Sequence, residues 1–185
     1  MKRICVIGTT GAGKTTFAGR LADLLGCEQI ELDAHHWGPH WTPRPTEEFR
    51  ASVRAVAAQE CWVADGNYHK VRDLLWARAD TLVWLDYSIG TILTRLLLRT
   101  MRRVARREEL WGGNRENLWW HLATRRSLFL WALQTHWRRR RAYPQLIAAP
   151  EFSHLRVVRL YSPAQAEVWL TQTAAAEATS AEPTR

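Results

Sequence analysis

The chain has 185 residues, 46% of them hydrophobic, and 26 Lys and Arg against 18 Asp and Glu give a formal net charge of +8. That length suits one domain whose core needs neither disulfides nor a structural metal, and no uncharged apolar run approaches the ~20 residues of a membrane span. The basic excess, mostly arginine between positions 95 and 141, draws phosphate, whether carried by a nucleotide or by nucleic acid.

Apolar runs that end in polar turns predict strands at 3–7, 28–32, 61–64, 80–86 and 154–160. Helical periodicity fills the intervals at 14–25, 46–58, 70–78, 88–107, 114–141 and 163–173. Strands alternating with helices, and reading as continuous apolar runs, predict an α/β fold with a parallel sheet covered on both faces. The interval between the fourth and fifth strands exceeds an ordinary crossover and predicts a helical lid over about 88–149, with Trp111-Gly112-Gly113-Asn114 as its hinge. One domain is expected over 1–173, and 174–185 reads as a frayed tail. Met1-Lys2-Arg3 opens a short apolar stretch that belongs to the first strand, so a cytoplasmic protein is expected. Cys5, Cys27 and Cys61, an odd set lacking a C-x-x-C, read as buried, reduced thiols.

The most specific signal is Gly8-Thr9-Thr10-Gly11-Ala12-Gly13-Lys14-Thr15, followed by Thr16. It is a complete G-x-x-x-x-G-K-[ST] phosphate loop, placed between a predicted strand and a predicted helix as the motif requires. Its glycines let backbone N–H groups converge at the positive end of a helix. Lys14 is positioned to reach the terminal phosphates and Thr15 to join a Mg²⁺ shell, so ATP and Mg²⁺ are the expected cofactors.

Three predicted strands end on a carboxylate: Asp33, Asp65 and Asp86. Such ends gather at the ligand-binding rim of a parallel sheet. Asp65 and Asp86 both fit a magnesium partner on pattern, and Asp65 is preferred because Gly66-Asn67-Tyr68 supplies a tight polar turn after it. Asp33 reads as general base or ligand of an acceptor hydroxyl, with Trp37 beside it for stacking. Arg95, Arg99, Arg102 and Arg106 form one helical face, with Arg103 and Arg107 one step round it, suited to clamping transferred phosphate. Arg138 to Arg141 point all round a helix and read as mostly solvated.

Taken together, the phosphate loop, Leu32-Asp33-Ala34 with Trp37, Asp65-Gly66-Asn67-Tyr68 and Ala79-Asp80-Thr81 before Trp84-Leu85-Asp86 resemble a group of adenylate-kinase-like phosphate-loop proteins, some labelled topology modulation protein. Val71-Arg72-Asp73-Leu74, Arg107-Glu108-Glu109-Leu110-Trp111, Gly113-Asn114-Arg115-Glu116 and Ser162-Pro163 are similar to its actinobacterial-type branch. The resemblance implies a P-loop NTPase fold, three layers α/β/α around five parallel strands in the order 2-3-1-4-5, with an Arg-rich lid. It implies an ATP-dependent phosphotransferase acting on a small-molecule acceptor, as a monomer or small homo-oligomer. Catalysis would fall to Lys14, Asp33, Arg103 and Arg107, and nucleotide contact to residues 8–16, Arg115, Ser162 and Pro163. The acceptor would meet Asp33, Trp37, Asn67, Tyr68 and Arg72, and the metal Thr15 and Asp65. The Pro-Arg pair with which adenylate kinases bind a nucleoside monophosphate is absent, and Arg72 is the nearest substitute guanidinium. The competing class is a nucleotide-dependent ATPase that binds or regulates nucleic acid through the arginine face.

Overall fold

A computed structural model describes residues 1–106, 109–115 and 128–181. Its centre is β1 (Arg3–Gly8), flanked by β3 (Trp62–Asp65) and β4 (Thr81–Leu85), with β2 (Glu28–Glu31) and β7 (Arg156–Leu160) at the edges. All four pairings of this sheet are parallel, so the order by position along the chain is 2-3-1-4-5. The register aligns Val6 and Glu31 with Asp65, and Gly8 and Leu160 with Leu85. The phosphate loop and the strand-ending carboxylates therefore share one rim.

The three central strands are buried on both faces, which is why they read as nearly unbroken apolar runs. On one face Ile4, Val6, Val83 and Leu85 pack against α1 (Lys14–Leu25), α5 (Ile89–Arg106) and α7 (Pro163–Ala181) through Leu21, Ile92 and Leu170. On the other, Ile7, Ile30, Trp62 and Trp84 meet α3 (Thr46–Ala57) and α4 (Arg72–Trp76) through Phe49, Val53 and Leu75. The short α2 (Leu32–His36) continues β2 directly.

A helix of the insertion, α6 (Leu128–Ile147), joins the two cores. Ala132 is buried in the first and Tyr143 in the second, so the helix crosses the sheet's rim with Thr135, His136 and Arg139 between them. The sequence placed a helix at 114–141. Instead a two-stranded hairpin, β5 (Glu109–Leu110) and β6 (Asn114–Arg115), precedes a helix that runs through Pro144 to Ile147. The expected hinge is the turn of that hairpin, where Gly113 has φ +74°. The expected tail is also shorter, since α7 stays helical to Ala181 and buries Thr173 on the way.

The cysteines depart from expectation. Cys5 is free and buried, but Cys27 and Cys61 are half-exposed and disulfide-bonded, with Cα atoms 5.1 Å apart. They stand at the starts of β2 and β3, which pair side by side, so the sheet brings together two residues 34 positions apart. Among the described residues no helix is long and apolar enough to cross a membrane.

Candidate active site

The loop between β1 and α1 is shaped by contacts that exclude side chains. A Cβ on Gly8 (φ +155°) would lie 2.7 Å from the Leu85 carbonyl oxygen, and one on Gly11 (φ +90°) would lie 2.8 Å from that of Ile92. No side chain caps α1, so the first-turn N–H groups that every helix leaves without an internal partner open toward the loop. That is the arrangement by which helix N-termini hold phosphate.

Asn67, expected to touch an acceptor, holds this loop. It accepts the Gly8 N–H at 3.1 Å and donates to the Gly8 carbonyl at 2.6 Å, while the Tyr143 hydroxyl of α6 donates to the same Oδ1 at 3.1 Å. Both ends of the amide are engaged, so it is an anchor for the loop's first residue.

Lys14 Nζ lies 3.5 Å from the Thr9 carbonyl oxygen. Burial lowers its pKa to about 8; Asp65 and Asp33 oppose that shift, while Arg139 and Arg99 add to it. Those four neighbours outline the site: two carboxylates and two guanidiniums around one ammonium. Asp65 is 4% exposed and accepts the Thr15 hydroxyl at 3.0 Å and the Gln29 amide at 3.2 Å. Burial raises its pKa to about 6 against the pull of Lys14 and these two hydrogen bonds.

Asp86 has different partners. Arg140 of α6 reaches Oδ1 at 2.8 Å and Arg159 of β7 reaches Oδ2 at 2.6 Å. Arg159 also stacks over Trp84, 4.1 Å from the ring centroid. The carboxylate is saturated by two cations, so it ties α6 and the edge strand to the rim. Thr15 and Asp65 are the pair that fits a magnesium nucleotide: a hydroxyl and a rigid buried carboxylate, both hard oxygen donors, adjacent to the phosphate loop.

The rim around Asp33 is aromatic. Asp33, on α2, accepts the Tyr68 hydroxyl, and Trp37 hydrogen-bonds Tyr68 as well. The buried His36 ring lies 4.6 Å from Tyr68, 4.7 Å from Trp37 and 5.1 Å from Phe49. Asp33, Trp37 and Tyr68 are thus brought into one hydrogen-bonded cluster. Arg72 sits over Trp76 and faces a small cavity lined by Asn67, Tyr68 and Tyr143. The hairpin tip closes this side: the Trp111 indole N–H donates to Glu31 Oε2 at 3.1 Å. Below it, His40 and Trp41 adopt left-handed backbone (φ 55° and 53°) in the turn after Trp37.

The arginines divide unevenly. Along α5 the buried stripe is Ile92, Leu96 and Thr100, flanked by the half-buried Arg99 and Arg103, whereas Arg102 is exposed. The guanidinium of Arg95 lies against Gly13, with Nη2 2.6 Å from where a Cβ would stand. Arg107 lies outside the described residues, and Arg115 is located by its backbone alone, in β6. Arg139 is the residue the sequence reading passed over. It falls on the inward stripe of α6 with His136 and Tyr143, and burial lowers its pKa while Tyr143 opposes the shift. Only the four-three-four spacing of Ala132, His136, Arg139 and Tyr143 could have marked it. His136 Nδ1 approaches the Thr9 hydroxyl at 3.4 Å. Ser162 caps α7, its hydroxyl accepting the Gln165 N–H at 3.2 Å, with Pro163 as the first helical residue.

Neither a protein-family model nor a curated protein matches the chain. Solved structures do. A gluconokinase from Sinorhizobium meliloti 1021 superposes with a TM-score of 0.50 at 19% identity, over 98% of each chain. A shikimate kinase from Acinetobacter baumannii, in complex with shikimate, gives 0.56 at 18% identity, over 98% of this chain and 96% of its own. One from Bacteroides thetaiotaomicron gives 0.56 at 16%, over 96% and 98%. The chain shares the P-loop kinase fold of these proteins along nearly its whole length.

Proposed function

We propose that this chain is an ATP-dependent, magnesium-requiring phosphotransferase acting on a hydroxyl of a small molecule. One observation carries the reading: the Thr15 hydroxyl is hydrogen-bonded to the strand-ending Asp65 beside a phosphate loop, and a second carboxylate, Asp33, stands in the short helix that follows the neighbouring strand, among aromatic rings. The first pair suits the donor nucleotide and the second the acceptor. Among P-loop kinases, the resemblance of its motifs supports an adenylate-kinase-like type.

Backbone N–H groups at the start of α1 and the Lys14 ammonium bind the donor phosphates. Lys14, Arg99 and Arg139 surround the position of the transferred group and stabilise charge that develops on its oxygens, with Arg103 from the same flank of α5. Asp33, held in place by Tyr68, orients the acceptor hydroxyl and takes up its proton as the new oxygen–phosphorus bond forms and the bond to the departing ADP breaks. Bound magnesium supplies charge neutralisation on the donor phosphates; Thr15 and Asp65 would hold it. Ser162 and Pro163, just after the fifth strand of the sheet, border the nucleobase. The inward Arg139 and Arg140 favour a kinase over a nucleic-acid binder, because half of the 138–141 run is directed at the rim.

The test is a screen of sugars, sugar acids, cyclic hydroxy acids, nucleosides and nucleotides with ATP and Mg²⁺. At least one acceptor should raise ADP release well above the Lys14→Ala background. With that acceptor Arg139→Ala should lower kcat by about 10²-fold, and the neighbouring Arg138→Ala should leave it unchanged. An acceptor-independent ATPase rate across the whole screen would refute the reading.

A further inference from the structure

Asp65 touches one side chain that neither the phosphate-loop motif nor the acceptor wall involves. From β2, Gln29 donates through a single Nε2 to Asp65 Oδ2 at 3.2 Å and to the Thr15 main-chain oxygen at 3.0 Å. Both partners accept only, so the NH₂ end of the amide is the one that fits, and each of its hydrogens serves one partner. The amide oxygen turns toward α1 and lies over Gly19, where an added Cβ would come within 2.9 Å of it. A glycine inside a helix is about 1 kcal/mol less favourable than alanine. Helix α1 carries that penalty at the position where the amide needs room.

Three elements meet in this arrangement. Thr15 of α1 donates to one oxygen of Asp65, Gln29 of β2 donates to the other, and the same amide binds the backbone of Thr15. A carboxylate tethered at both oxygens cannot rotate without losing a buried hydrogen bond, and partners of this kind fix the orientation of a metal-directed group.

We propose that Gln29 is a positioning residue for magnesium, its amide fixing the separation and orientation of Thr15 and Asp65, with Gly19 as the gap that admits it. The inference rests on the magnesium-nucleotide reading above. Its test is calorimetric ADP binding with EDTA and with excess Mg²⁺, on the unmodified chain, Gln29→Leu and Gly19→Ala. The unmodified chain should bind ADP in EDTA and bind it more tightly with the metal. Gln29→Leu should cut that metal-dependent gain by at least about tenfold, with affinity in EDTA within about threefold of the parent. Gly19→Ala should melt higher, as helix propensity dictates, yet lose part of the same gain because its methyl displaces the amide. Should Gln29→Leu fail to fold, Gly19→Ala decides alone: a higher melting point with an undiminished gain overturns the proposal. Equal losses with and without metal in Gln29→Leu would mark a general structural prop and also overturn it, leaving the kinase reading intact. Absence of ADP binding by the unmodified chain in both conditions removes that reading, and this proposal with it.

Discussion

Asp65 ends β3 and Asp86 directly follows β4, the strands that flank β1, and both carboxylates are buried at the same rim. Their surroundings are opposite. Asp65 meets a hydroxyl and an amide, neutral donors that orient it and leave its charge uncompensated except by Lys14 nearby. Asp86 meets two guanidiniums that neutralise it. A carboxylate held by neutral groups remains available to a cation; one saturated by arginine has become a structural tie. The same apolar-strand-then-Asp pattern thus leaves a carboxylate open to a cation in one place and makes a fastening in the other.

The sharpest way to break this contrast is at Asp65. Asp65→Asn should reduce ATP turnover by about 10²–10³-fold in a coupled assay, with the fold intact. Asp86→Ala should do the reverse. It leaves Arg140 and Arg159, each about one-third exposed, without their shared anion. The expected loss is about 2–4 kcal/mol, seen as a melting point lower by roughly 5–15 °C while Mg·ADP affinity stays within about threefold.

A pH series sharpens the comparison next. In the nucleotide-free protein burial raises the Asp65 pKa from 3.8 to about 6. The folded state therefore holds this proton more tightly than the unfolded chain, and its contribution to stability grows as pH falls from about 6 toward about 4. Above that window the ionised, buried group destabilises the fold by at most about 3 kcal/mol. Asp65→Asn should accordingly melt above the parent near pH 7.5, on the order of a few degrees, and the difference should vanish near about pH 4. The smallest effect is expected at the hairpin. Trp111→Phe removes one hydrogen bond to Glu31, worth about 1 kcal/mol, and should raise the acceptor KM by about fivefold with kcat nearly unchanged.

How far these roles could be read in the sequence depended on how local each signal was. The phosphate loop is eight consecutive residues, and the strand order follows from alternation and the family resemblance, so both were legible. The sequence preferred Asp65 to Asp86 only on the turn that follows it, because the partners that distinguish them lie far from each along the chain: Arg140 and Arg159 for Asp86, Gln29 for Asp65. Asn67 looked like a ligand contact because it follows a strand-ending Asp, yet its partner is Gly8, 59 positions away. Arg139 was hidden inside a run of four arginines until burial of the 132–143 stripe fixed which of them turns inward. Cys27 and Cys61 became neighbours only once β2 was placed against β3.

The tie at Asp86 also limits what natural variation can change cheaply. With α6 rooted at Asp86 and α5 packed on the loop through Ile92 and Leu96, the two long helices behave as fixed piers. The hairpin at 109–115, which meets the acceptor side through Trp111, is the span between them. On the proposed function, exchange of that span would alter the molecule admitted without rebuilding the loop between β1 and α1.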